Sequence, residues 1–187
     1  MIIIGITGTL GAGKGTIVEY LIEQKGFAHF SVRAFLLEEI RKRGLPENRD
    51  SMYNLANKLR SINGASYVTD ELYKKAALLR KNSVIESIRT PGEIKSLRDK
   101  GNFYLFAVIA DPVIRYNRIK MRQSETDQIP FDSFLDNEAR EMDTTDPNKQ
   151  NLRECIADAD FLFENNESRE DLIMQVENIL QIIDRIK

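Results

Sequence analysis

The sequence predicts an α/β fold, a parallel sheet of about five strands with helices on both faces. Short apolar runs, several rich in β-branched residues, alternate with segments of helical period from end to end. The first and fourth runs are apolar without interruption, as strands buried on both faces must be. No linker, repeat or low-complexity stretch breaks the alternation, so the 187 residues are expected to form one domain with a substantial core.

The elements follow in order. Met1-Ile2-Ile3-Ile4 is too short for a helix and reads as the first strand. The first helix should run to about Gln24, with Gly26 as its stop. Phe27–Ser31 is the second strand. The next helix carries Phe35, Leu36, Leu37 and Ile40 on one face and ends at Gly44 and Pro46. Ser51–Arg80 reads as two helices joined at Gly64. Leu55, Leu59 and Ile62 form the first stripe, and Val68, Leu72 and Ala76 the second. Ser83–Ser87 is the third strand, followed by a helix opened by Pro91, which buries Ile94 and Leu97. Tyr104–Ala110 is the clearest strand, and Asp111-Pro112 cap the helix after it. Gln123–Asp127 is a polar break. Ile129–Met142 is helical, with Phe131, Phe134 and Leu135 as its apolar positions, and Leu152–Ala157 is a short helix. Phe161–Phe163 is the last strand, and Ser168 with Asp171 caps the final helix.

Between the first strand and first helix lies Gly8-Thr9-Leu10-Gly11-Ala12-Gly13-Lys14-Gly15-Thr16. Strand, glycine-rich turn and helix are the context that a phosphate-binding loop requires. Its glycines let successive N–H groups point into one concavity, and the helix N-terminus adds its positive dipole end. Lys14 would neutralise the outer phosphates, and Thr16 offers a hydroxyl to phosphate or hydrated metal.

In a parallel sheet, ligands bind beyond the carboxyl ends of the strands. Ser31 and Arg33 follow the second strand, and Glu86 and Arg89 the third. Asp111, Arg115, Arg118 and Arg122 follow the fourth, and Asn165 the fifth. Glu86 reads as a ligand for magnesium-bound water or a partner of Lys14, against a structural ion pair with an arginine. Arg89 could grip an acceptor phosphate bidentately, against a surface pair with Glu93. Arg118 and Arg122 share a helix face and could bridge transferring phosphates, or one could stack on a base. The plainer reading is a solvated basic face shared with Arg115 and Lys120. Arg140 sits in a lid-like segment, against a solvated acidic and basic face. Arg33, Arg41, Arg43 and Arg60 are candidates for the acceptor side.

Net charge is -2, from 27 Lys+Arg against 29 Asp+Glu, so no global field attracts nucleic acid or an anionic membrane. A lone Cys155 excludes an internal disulfide and a cysteine-cluster metal site, and reads as a small core residue. His29 reads as structural. No apolar run approaches membrane-spanning length, and the apolar start lacks a basic leader, which predicts a soluble cytoplasmic protein.

The loop form G-x-x-G-x-G-K-G-T resembles that of adenylate kinase and its nucleoside monophosphate kinase relatives. Glu86-Ser87-Ile88-Arg89-Thr90 resembles their Asp-Gly-x-x-Arg stretch, with Glu for Asp, Ser for Gly and the arginine one position closer. Arg118 and Arg122 resemble the arginines that open that family's lid. Ala157–Phe161 with Asn165-Asn166 and Ser168 to Leu172 looks like the last strand and turn of dephospho-coenzyme A kinases. The resemblance puts Asn165 on the adenine side and implies a three-layer P-loop kinase fold. It also implies a helical acceptor-side insertion at about 45–80 and a lid-like segment at about 123–143. Where that family places an acceptor-binding arginine, this chain has a leucine among Ser31–Leu37, and the lid carries no cysteine cluster for zinc.

The resulting expectation is a kinase that uses ATP and Mg2+ to phosphorylate a small acceptor of nucleotide type. Gly8–Thr16 would hold the donor, Thr16 and Glu86 the metal, and Lys14, Arg89, Arg118, Arg122 and Arg140 the reacting groups. A dephospho-coenzyme A or small-metabolite kinase, and a regulatory ATP-binding module, stay open as alternatives.

Overall fold

The computed structural model describes residues 1–122 and 128–186; the polar break predicted at Gln123–Asp127 lies outside them. Five parallel strands form one sheet in the order β2-β3-β1-β4-β5. They are β1 (Ile3–Gly8), β2 (Ala28–Ser31), β3 (Ser83–Glu86), β4 (Phe103–Ile109) and β5 (Phe161–Glu164). The helices are α1 (Lys14–Lys25), α2 (Val32–Lys42), α3 (Arg49–Asn63), α4 (Tyr67–Leu79) and α5 (Pro91–Asp99). After them come α6 (Pro112–Met121), α7 (Phe131–Met142), α8 (Leu152–Ala157) and α9 (Arg169–Ile186).

Alternation along β1 sends its side chains to two separate cores. Ile4 and Ile6 pack with Val84, Phe106, Val108 and Phe163 under α1 and α9. Ile3 packs with Ile85, Leu105 and Phe103 under α2, α3, α4, α5 and α8, where Cys155 is buried. This is the predicted three-layer α/β architecture.

Local differences have plain causes. β1 begins at Ile3 and continues to Gly8, because Ile3 is the first residue with partners on both sides, Ser83 and Phe103. Met1 is exposed. The buried stripe of α2 is Val32, Leu36 and Ile40, with Phe35 and Leu37 on its flanks. On α3 the buried arc is Leu55, Ala56, Leu59 and Arg60, which leaves Ile62 outside it and 67% exposed. On α7 only Phe134 of the three predicted apolar positions is buried, stacked on Phe131 and packed on Tyr116, while Leu135 is exposed. The caps at Gly26, Asp111 and Ser168–Asp171 form as expected. Thr90 and Glu93 add a capping box at the start of α5.

Candidate functional site

The turn from β1 into α1 is built on backbone geometry that only glycine adopts without strain. Gly8 and Gly13 have φ of 129° and 110°, and a Cβ on Gly8 would lie 2.1 Å from the Val108 carbonyl oxygen. Two later segments brace the turn. Asn165 Nδ2, at the end of β5, donates to the Ala12 carbonyl at 2.8 Å. Arg115, only 3% exposed, donates to the Leu10 and Ala110 carbonyls and forks onto Glu138 of α7. Arg115 is therefore no part of a solvated face. Lys14 Nζ folds back to donate to the carbonyls of Gly8 and Thr9, each at 2.7 Å. Burial first, and the nearby Arg89 guanidinium next, pull the Lys14 pKa down to about 7, against the opposing pull of Glu141 and Glu86.

Glu86 ends β3, next to the loop. Ser31 Oγ donates to its Oε1 at 2.6 Å, and His29 Nε2 stands 3.5 Å from the same oxygen. Burial pushes the Glu86 pKa up, but the hydrogen bonds from His29 and Ser31, with the His29 and Lys14 charges, outweigh it and hold the carboxyl below its usual range. His29 thus has a role the sequence did not signal.

Above the strand ends lies a cavity of about 500 Å³. Its walls carry Gly11, Gly13, Lys14, Gly15 and Thr16 from the loop, Glu86 and Arg89 from the β3 end, and Arg122 and Arg140 from later helices. Six cationic side chains (Lys14, Arg33, Arg49, Arg89, Arg122, Arg140) face three carboxylates, Asp50, Glu86 and Glu141, while Arg60 behind them is neutralised by the buried Glu93. An anionic ligand therefore meets an excess of positive charge in a chain whose net charge is -2.

The sequence candidates separate in space. Arg89 makes no guanidinium contact with Glu93; its Nη1 donates to Glu141 Oε2 and, at 2.9 Å, to Gln150 Oε1. Arg49 Nη2 reaches the other oxygen of the same carboxylate at 2.9 Å. Glu93 instead pairs with Arg60, both fully buried, and its second oxygen accepts from the backbone N–H of Arg89 and Thr90. That pair pins the loop from which Arg89 projects. Arg140 lies over the Tyr53 ring, 5.2 Å from its centroid, and 3.7 Å from Asp50. Arg118 is outside the cavity lining and donates to the Asn165 carbonyl at 2.8 Å, with the Glu167 carbonyl at 3.4 Å. Arg41 and Arg43 pair with Glu47 and Glu39 at the surface. Arg49, Glu141, Gln150 and Tyr53 were not singled out from sequence. Glu141 stands in an ordinary-looking acidic and basic run, and no local pattern marks the others.

Residues 4–146 match the family described as AAA domain. The UPF0200 protein MJ1399 of Methanocaldococcus jannaschii is 30% identical over 191 residues, covering 98% of this chain and 91% of that one. This chain belongs to the UPF0200 family. Among solved structures, a gluconokinase from Sinorhizobium meliloti superposes with TM-score 0.62 at 12% identity, covering 99% of this chain and 95% of that one. A shikimate kinase from Bacteroides thetaiotaomicron superposes with TM-score 0.57 at 14% identity, covering 98% of each chain. The fold of this UPF0200 protein is that of the P-loop kinases. No helix among its described residues is long and apolar enough to cross a membrane. Nor do the described residues bring together three or more His, Cys, Asp or Glu side chains that could hold a metal ion. Magnesium at phosphate sites needs only one or two protein ligands beside phosphates and water. The Thr16 hydroxyl and Glu86 carboxylate, lining one cavity with Lys14, fit that requirement.

Proposed function

We propose that this chain transfers the γ-phosphoryl group of ATP, with Mg2+, to a nucleoside monophosphate or similar nucleotide-like acceptor. One observation carries the reading: a single cavity is lined both by the glycine-rich loop with Lys14 and by Arg49, Arg89 and Arg140. Phosphoryl transfer needs positioning and charge neutralisation more than covalent help from the protein. The loop amides and Lys14 hold the donor phosphates, and Lys14 leaves the Gly8 and Thr9 carbonyls to do so. Thr16 and Glu86 would hold the metal, which would supply neutralisation of the donor's phosphate charge. Ser31 and His29 keep Glu86 oriented and ionised. Arg89, pinned through Glu93, faces the acceptor. Arg122 and Arg140 approach the transferring group, and Arg118 with Asn165 lies on the base side of the loop. Closure of α7 over the cavity excludes water and suppresses hydrolysis.

The test is an ADP-release assay over a panel of nucleoside monophosphates, dephospho-coenzyme A and hydroxylated metabolites, run beside Lys14→Ala. Acceptor-stimulated turnover by a nucleotide, lost in the variant, is expected. ATP binding with no acceptor above the variant's background would overturn the reading.

A further inference from the structure

Glu141 is a carboxylate in an unusual place. It reaches from α7 into the cavity wall and is 7% exposed. Arg49 Nη2 holds one of its oxygens and Arg89 Nη1 the other, and Gln150 steadies the second guanidinium. Burial pushes the Glu141 pKa up, but the Arg89 and Arg49 charges prevail and keep it ionised. Among the described residues, Arg49 Nε and Nη1 and Arg89 Nε and Nη2 make no hydrogen bond, so most of each fork is left for a further acceptor. Two guanidinium groups converging on one anion, with donors to spare, form the geometry that suits a phosphate better than a carboxylate.

The anion's source matters as well. Its helix is tied down here by polar contacts, Glu138 on Arg115 and Arg140 near Asp50, and by the rings of Phe131 and Phe134 on Tyr116. Such a segment can exchange one contact for another more readily than a sheet strand can.

We propose that Glu141 is a resident stand-in for the acceptor's phosphate, and that acceptor binding exchanges this carboxylate for a phosphate monoester between Arg49 and Arg89. The inference rests on the kinase reading above and adds that this chain's own carboxylate occupies the place of the acceptor's phosphate until it binds. A doubly charged phosphate outcompetes an intramolecular monoanion. A free monocarboxylate replaces like with like and loses association entropy, and a neutral polyol gains nothing. Glu141 is thus a specificity residue that acts through the two arginines.

The test keeps the two readings apart. The full chain is first saturated with Mg2+ and a non-hydrolysable ATP analogue, so that the loop is filled, and inorganic phosphate is then titrated by calorimetry, with acetate as control. Phosphate should bind and acetate should not. Glu141→Gln, which removes the competing charge at constant shape, should bind phosphate about tenfold tighter, and Arg89→Met should abolish that binding. On wild type, hydrogen exchange across 131–142 should speed up when phosphate is added. Equal or weaker phosphate binding by a cooperatively melting Glu141→Gln variant overturns the proposal. Should that variant fail to fold, the wild-type exchange decides alone: unchanged or slower exchange overturns it. Failure of the ATP analogue to bind would instead strike the kinase reading.

Discussion

At the scale of single residues, the loop's chemistry is set by how little room and solvent it has. Lys14 is held at a pKa of about 7, by burial first and Arg89 second. Below that pH the free chain carries the ammonium; above it the proton is lost. Triphosphate raises the pKa again, so binding above pH 7 takes up a proton, and affinity for magnesium–ATP should fall by up to about tenfold per pH unit. Calorimetry at about pH 8 in buffers of different ionisation enthalpy should register close to one proton gained per nucleotide. An affinity that does not change between neutral and alkaline pH contradicts the shift. Gly13 and Gly15 provide a paired contrast. A Cβ on Gly13 would sit 2.1 Å from Asn165 Nδ2 at a φ of 110°, whereas nothing lies within 4 Å of one on Gly15. Gly13→Ala should cost about 2–3 kcal/mol in a urea melt. Gly15→Ala should be neutral or stabilising by up to about 1 kcal/mol, since it stands in the first turn of α1.

At the scale of elements, the loop between β3 and α5 is held by a buried ion pair. Arg60 of α3 and Glu93 of α5 have no exposed surface, and Glu93 also accepts two backbone N–H groups from the loop. Glu93→Ala leaves the Arg60 charge uncompensated and should cost about 3–5 kcal/mol. It should also raise the acceptor KM, because Arg89 loses its anchor. The exposed pair Arg41–Glu47 is the control: Arg41→Ala should cost less than about 1 kcal/mol. Melting both variants beside wild type checks the ranking, and equal costs would contradict it. Local sequence spoke clearly for most elements here. Pro91 and Thr90 open α5, Asp111-Pro112 open α6, and Gly26 ends α1, each through chemistry within a few residues. The inward face of α3 did not declare itself, because Arg60 reads as polar until Glu93, 33 positions away, is seen against it.

At the scale of the whole molecule, the sheet order decides which strand ends share a cavity. With β1 between β3 and β4, the loop stands beside Glu86 and Arg89 on one side and beside Arg115 and Arg122 on the other. Helix α7 then joins the two halves, through Glu138 to Arg115 beside the loop and through Glu141 to Arg49 and Arg89. Nucleotide should stabilise this assembly: at a hundred times Kd, magnesium–ATP adds about 2.7 kcal/mol. A melting shift of roughly 5–10 °C is expected by scanning fluorimetry, absent in Lys14→Ala. Equal shifts in both would place the nucleotide elsewhere. The alternation of strands and helices and the phosphate loop are legible along the chain, because strand burial, caps and glycine geometry are encoded within a few neighbouring residues. That Arg49 and Arg89 share Glu141, that Glu93 belongs to Arg60 and that Asn165 braces Ala12 is visible only in the folded molecule. Those partners are brought together by packing across the chain, and a charge carries no mark in the sequence of the opposite charge it will meet.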